Sequence, residues 1–261
     1  MDTGHVTASE RKAMPLSWPS PWIDAFSNVP GLGITVVDGV GRQMFANANA
    51  SLLFRGHQRP QTNNGYTLHD LYPALWADER LSFVQQAMMQ QGTLVARSIW
   101  RGRRLECTFQ SLGFDGKPND PANARILVVT KPGITTATEP SPTGRVMWSE
   151  VVELGRLDVL SPRELEVLAL LSQGISYEDI ARHLKRSRKT VDNHRQSIGR
   201  KLEICDRITL ARAAADAGLE LRDARARRVR FTPHSAEAAV LEGKPTKMGV
   251  GNCTLPSATR L

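Results

Sequence analysis

Two hydrophobic periodicities divide this chain. Between residues 33 and 130 the apolar positions come in short β-branched or alternating runs. Residues 33–37, 42–46, 94–100, 103–112 and 124–130 are therefore expected to be five strands. Asp38-Gly39 and Arg101-Gly102 fall between consecutive runs and are expected to be hairpin turns. Asn47 precedes ANASLLF and should cap a short helix; residues 76–91, WADERLSFVQQAMMQQ, should form a longer amphipathic one. From residue 160 the period changes to that of helices. Leu165, Leu168 and Leu171 form a stripe that opens with Ser161, Pro162 and Glu164, the residues of a capping box, and closes at Gly174. Ser176 should cap a second helix carrying Ile180, Ala181 and Leu184. Ser187 should cap a third with Val191, Ile198 and Leu202 inward. Asp206 should cap a fourth whose apolar face is Ile208, Ala211, Ala214 and Ala215, closed by Gly218.

Composition sharpens the division into segments. Residues 1–24 are polar and Pro-containing and read as a disordered arm. Residues 25–131 read as an α/β mixture, and 132–147, rich in Pro, Thr, Ser and Gly, as a linker. Residues 148–219 read as the helical module, and 220–261, beginning LRDARARRVR, as a basic, mostly disordered tail. The fold class is therefore α+β: an antiparallel five-stranded sheet with flanking helices, followed by four helices. No run approaches the roughly 18 apolar residues of a spanning helix, and the N-terminus lacks the apolar stretch of a secretory signal. A cytoplasmic protein without a membrane partner is expected. The three cysteines Cys107, Cys205 and Cys253 are far apart and odd in number, which favours reduced thiols.

Charge then singles out one segment. The chain carries a net +8, which suits a polyanionic partner. Residues 182–201 hold Arg182, Lys185, Arg186, Arg188, Lys189, Arg195, Arg200 and Lys201 with Asp192 as the only acid. On the third helix Arg188, Lys189, Asp192, Asn193, Gln196 and Arg200 oppose the apolar stripe. Amide, guanidinium and carboxylate groups at helical spacing can read base edges in a major groove, while cations near the helix ends hold phosphates.

The stretch from Leu160 to Leu219 resembles the LuxR-type (GerE-type) helix-turn-helix. The family pattern L-S-x-R-E-x-E-V-L falls on Leu160 to Leu168, and G-x-S/T-x-x-E/D-I-A-x-x-L on Gly174 to Leu184. S-x-x-T-V-x-x-H falls on Ser187 to His194, and K-L on Lys201 and Leu202. The resemblance implies that the Ser187–Leu202 segment is the recognition helix of a transcription regulator and that the last helix often dimerises. Its base-facing positions fall on Asp192, Asn193 and Gln196. Phosphate contacts are expected from Arg186, Ser187, Arg188, Lys189, Thr190, Arg195, Arg200 and Lys201. Asp192 is acidic where the family often has a basic residue, which leaves the preferred DNA sequence open. The expected partners are double-stranded DNA, a second copy of the chain, and RNA polymerase. His194 and Glu164 are expected to be structural.

The order β-β-α-α-β-β-β, with VVDGVGRQMFANANASLLF, resembles a PAS domain. Its pattern falls on Asp38, Gly41, Met44, Asn47, Ala50 and Phe54. Such domains sense small molecules, redox state or light, or simply dimerise. The flavin-photosensor cysteine motif is absent, and Cys107 on a strand reads as a buried small residue. An axial histidine for haem could only be His57 or His69 by position. The cup could equally be filled by side chains and bind nothing, so no cofactor is expected and the ligand is left open. The chain has no P-loop, G-x-S-x-G or H-E-x-x-H motif, and Gly31-Leu32-Gly33 lacks the third glycine of a dinucleotide site. It is not read as an enzyme. Two alternatives stand beside the regulator. One is a sigma-factor-like initiation subunit, which shares the S-P-R-E-x-E-V-L opening but needs a helical domain upstream. The other is an interaction protein whose helices only dimerise.

Overall fold

The computed structural model describes residues 25–56, 61–62, 65–89, 92–117, 119–133 and 144–231. The segments 1–24 and 232–261, with Cys253, and residue His57 lie outside the described residues.

Five strands form where alternation placed them: β1 (Gly33–Val37), β2 (Gln43–Ala46), β4 (Thr93–Trp100), β5 (Arg103–Phe114) and β6 (Ala124–Pro132). They are antiparallel neighbours in the order β2-β1-β6-β5-β4. The sheet is nonetheless seven-stranded. β3 (Gln61–Thr62) extends one edge beyond β2, and β7 (Gly144–Trp148) adds in parallel to β4 at the other. β7 spans the end of the expected linker and the start of the expected helical module. Linker composition concealed it, because an edge strand laid on a longer partner needs no strong alternation of its own.

Three helices among the described residues pack buried side chains into the sheet core. α1 (Ala48–Arg55) is capped by Asn47, whose side chain accepts from the Ala50 amide and also from Ile34 N–H at 2.9 Å, so one residue starts the helix and ties it to β1. α2 is Leu68–Leu71 and α3 is Ala74–Met89. The Arg101-Gly102 hairpin forms as expected, both residues at positive φ (51° and 68°), the geometry of a two-residue turn that follows sheet twist. The Asp38-Gly39 pair behaves differently. The turn runs from Asp38 to Arg42, its positive φ lies at Gly41, and the buried Asp38 carboxylate accepts from Val40 and Arg42 N–H. Gly39 is needed for closeness instead, because a Cβ there would sit 2.8 Å from the Pro121 carbonyl oxygen.

Beyond β7 the chain makes the two-residue β8 (Val151–Val152), a 3-10 turn (Gly155–Val159), and then four helices: α4 (Pro162–Ser172), α5 (Tyr177–His183), α6 (Arg188–Leu202) and α7 (Arg207–Ala217). A 3-10 turn, Leu221–Arg225, and β9 (Arg227–Arg228) follow, and β9 pairs in parallel with β8. The start of the expected disordered tail is therefore ordered through residue 231. Its arginines are consumed locally: Arg225 reaches Glu166, Arg228 donates to the Leu160 carbonyl at 2.7 Å, and Arg230 pairs with Asp158 at 2.9 Å. Charge counts could not separate arginines that meet a carboxylate or carbonyl from arginines left in water.

The two parts have separate apolar cores that exchange residues. Val151, Val229 and Phe231 pack into the sheet core, while Ile99 of β4 packs into the core of the helical module. At this end both faces of the β4–β5 hairpin are covered, so the neighbours Ile99 and Trp100 on β4 and Arg104 and Leu105 on β5 are all buried on either side of a more open turn. The polar member, Arg104, donates to the Gly218 carbonyl at the end of α7 and makes a bidentate pair with Asp223 at 2.5 and 3.2 Å. Trp148 of β7 lies beneath the guanidinium groups of Arg97, Arg104 and Arg222, that of Arg222 3.8 Å from its ring centroid. Among the described residues no helix is long and apolar enough to cross a membrane.

Candidate nucleic-acid interface

Four serine or aspartate caps set the frame of the helical module. Ser161 and Glu164 form the expected reciprocal capping box on α4. Ser176, Ser187 and Asp206 accept from the amides of Asp179, Thr190 and Thr209 at the starts of α5, α6 and α7. The α5–α6 connection turns at Lys185, whose φ of 52° is left-handed, and the Arg186 amide closes it on the Ala181 carbonyl at 2.9 Å. Arg163 of α4 fastens this turn by donating to the Leu184 carbonyl at 2.7 Å. Val191 and Ile198 are fully buried, so α6 is anchored by one stripe and offers the rest of its surface outward.

Glu164 has a second use. Its carboxylate accepts from Ser197 Oγ and from Lys201 Nζ, both at 2.7 Å, and so binds the C-terminal half of α6 to the start of α4. Burial alone would raise its pKa, but Lys201, the Ser161 amide and the two serine hydroxyls more than reverse this and hold it at about 2. The C-terminal end of α6 is equally tight. Glu203 is left-handed, and the Ile204 amide returns to the Gly199 carbonyl. A Cβ at Gly199 would lie 2.7 Å from the Ile204 carbonyl oxygen.

The residues expected to touch DNA then separate by environment. Asn193 and Gln196 are exposed on the outward face and Asp192 is half-buried beside them. Asp192 accepts from Gln196 Nε2 at 3.0 Å and pairs with Arg195 at 3.4 Å, so two of the expected base readers are joined before any DNA is met. Ser187 and Thr190 share a hydroxyl contact at the helix start. Arg188 is exposed but pairs with Glu178 of α5 at 2.8 Å. Lys201 is engaged with Glu164. Arg186, Lys189 and Arg200 are exposed, and their side chains have no ion pair or hydrogen bond among the described residues; Lys185 joins them. The free positive charge of the surface thus sits at the two ends of α6 and on the preceding turn. His194 is half-buried, as a structural residue would be.

α7 departs from its expected face. Leu210, Ala214 and Ala217 are buried, whereas Ile208 is 76% exposed and Ala215 is exposed. A stripe rich in alanine does not identify its inner side, and the neighbouring Leu210 took the core. In the sheet region, Cys107 is buried on β5 as expected, and burial pushes its thiol up in pKa. His69, one of the two positional haem ligands, lies instead at the surface with Nε2 2.7 Å from Asp78.

Comparisons with known proteins bear on the helical module. Residues 158–214 match the family of bacterial regulatory proteins of luxR type, so this segment is a LuxR-type helix-turn-helix domain. The uncharacterized response regulatory protein YgeK of Escherichia coli (strain K12) is 40% identical over 60 residues. The match covers 23% of this chain and 41% of YgeK, less than half the relative's length. Among solved structures, the chain is similar to the Vibrio cholera VqmA–ligand–DNA complex (18% identity, TM-score 0.41, 82% of this chain and 96% of that one). It is also similar to the Vibrio cholerae VqmA dimer without target DNA (20% identity, TM-score 0.36, 77% and 90%).

Proposed function

We propose that the protein is a sequence-specific, DNA-binding transcription regulator that works as a homodimer and is gated through its sheet region. The observation that carries this reading is α6. It is a capped helix, held inward by two buried residues, that presents Asn193 and Gln196 between the uncompensated cations Arg186, Lys189 and Arg200. Asn193, Gln196 and Asp192 read base edges in the major groove. Arg186, Lys189 and Arg200 hold phosphates, with Ser187, Arg188, Thr190 and Arg195 flanking them; Lys201 is placed to hold the helix itself. Ile208 on the outer side of α7 supports a contact with a second copy, which would set two α6 helices about one helical turn of DNA apart.

The sheet order β2-β1-β6-β5-β4 with three helices packed into the sheet core supports the PAS-like reading of residues 25–131. The exchanged core residues support gating: a rearrangement of the sheet core would be felt at Val151, Val229 and Arg104, each of which touches the helical module or its return strand. The test is selection of genomic DNA fragments by the full-length chain at two salt concentrations, with a Lys189→Ala/Arg200→Ala control. A short palindrome enriched by the wild type and lost in the control is the expected result. Absence of salt-sensitive binding to any fragment, with the protein folded, would overturn the DNA-binding reading.

A further inference from the structure

Arg80 of α3 is buried inside the sheet region with its side chain 4% exposed, and its Nε, Nη1 and Nη2 atoms have no hydrogen-bond acceptor among the described residues. Its guanidinium lies over the rings of Trp76 and Phe83, at 4.8 and 5.3 Å from their centroids. Those faces favour the cation but accept none of its N–H bonds. The nearest carboxylate, Glu79, is 4.0 Å away, and its oxygens already accept from the Ser149 hydroxyl and from the Glu150 N–H at 2.7 Å. Arginine cannot shed its charge to escape this situation.

Arg80 also lines a cavity of about 40 Å³ between α3 and the sheet, together with Val37, Phe54, Tyr72, Trp76, Cys107 and Phe109. The indole Nε1 of Trp76, one helical turn before Arg80 and so on the same face, is buried and likewise lacks an acceptor among the described residues. The cavity wall, apolar and aromatic apart from Thr35, Gln43 and Arg80, thus includes residues with unsatisfied donors. The complement of such a wall is an anion with two coplanar acceptor oxygens and a short apolar body. A guanidinium fork matches a carboxylate in this way. Each water needs roughly 10–15 Å³ of such space, so the occupant is compact.

We propose that this cavity binds a small organic carboxylate of about acetate to pyruvate size, held by the Arg80 guanidinium and the Trp76 indole N–H. The assignment rests on the regulator reading only in taking this ligand as the gating signal; binding itself does not depend on DNA. The route outward is short. Tyr72 in the cavity wall contacts the ring of Phe231, just beyond β9, at 5.9 Å, and Glu79 beside Arg80 holds residues 149 and 150 before β8.

The test is thermal denaturation and titration calorimetry of the full-length chain without DNA, using acetate, propionate and pyruvate against chloride and phosphate at matched ionic strength. A saturable rise in Tm with at least one carboxylate, weakened roughly tenfold or more in Arg80→Met, is expected. Three results would overturn the proposal: no saturable shift with any carboxylate, an equal shift in Arg80→Met, or an equal shift with chloride or phosphate. If Arg80→Met does not fold, saturation transfer from the aromatic protons of the wild type to propionate decides, and absence of transfer rejects the site. DNA binding is measured on the same samples without carboxylate, so failure of the ligand and failure of the regulator reading are distinguishable.

Discussion

Two buried arginines, one on a strand and one on a helix packed against the same sheet, face opposite circumstances. Arg104, on the hairpin covered by the helical module, has its charge matched by Asp223 and its donors shared with the Gly218 carbonyl. Arg80, across the core on α3, has aromatic faces and no acceptor among the described residues. Equal burial therefore does not imply equal purpose. A desolvated charge that is fully paired fixes one arrangement of its surroundings, because removing either partner strands the other. A desolvated cation whose N–H groups meet no acceptor is a local cost that an incoming anion could offset. The first belongs to assembly of the molecule; the second is where the proposed carboxylate would act.

The largest effect should come from breaking the paired member. Arg104→Met leaves Asp223 buried without its cation and should cost about 3–5 kcal/mol in urea denaturation. A loss no greater than that of Arg80→Met would erase the distinction. Glu164→Gln tests the same logic within the DNA-binding module. Glu164 is buried and held at about pKa 2, below its ordinary value of 4.5. A depressed carboxylate contributes stability that is present above the unfolded pKa and is lost as pH falls from about 4.5 through about 2. The variant should lose about 1–3 kcal/mol at neutral pH and show a shallower decline across that acidic window; identical acid profiles would reject the role. Arg80→Met should change stability in the absence of carboxylate by about 1 kcal/mol or less, in either direction, since a lost cation–π contact opposes relief of an unpaired charge. Lys189→Ala lies at the solvated extreme. Its folding stability should stay within about 0.5 kcal/mol of wild type, while the salt dependence of DNA binding falls by about one phosphate contact. An unchanged salt slope would remove Lys189 from the interface.

The elements were legible where local chemistry decides. Ser161, Ser176, Ser187 and Asp206 each cap the helix expected of them, and the five alternating runs became five neighbouring strands. Legibility failed where a residue's meaning depends on what approaches it from far along the chain. Ile208 and Leu210 are both apolar on α7, and only packing shows that Leu210 is inside. Lys201 and Lys189 are alike in sequence, yet one is held by Glu164 and the other is free among the described residues.

By itself, the sequence determined the periods, the caps and the concentration of cations on one helix, because these depend on backbone propensity and on neighbours within a turn or two. The tertiary structure alone decided which arginines are partnered. It brought Asp223 to Arg104 across 119 residues of chain and left Arg80 over two rings, with the Glu79 carboxylate no nearer than 4.0 Å and no acceptor for its N–H groups among the described residues. The cost of a buried charge depends on the groups that fold around it, and those groups are set by packing and not by sequence proximity.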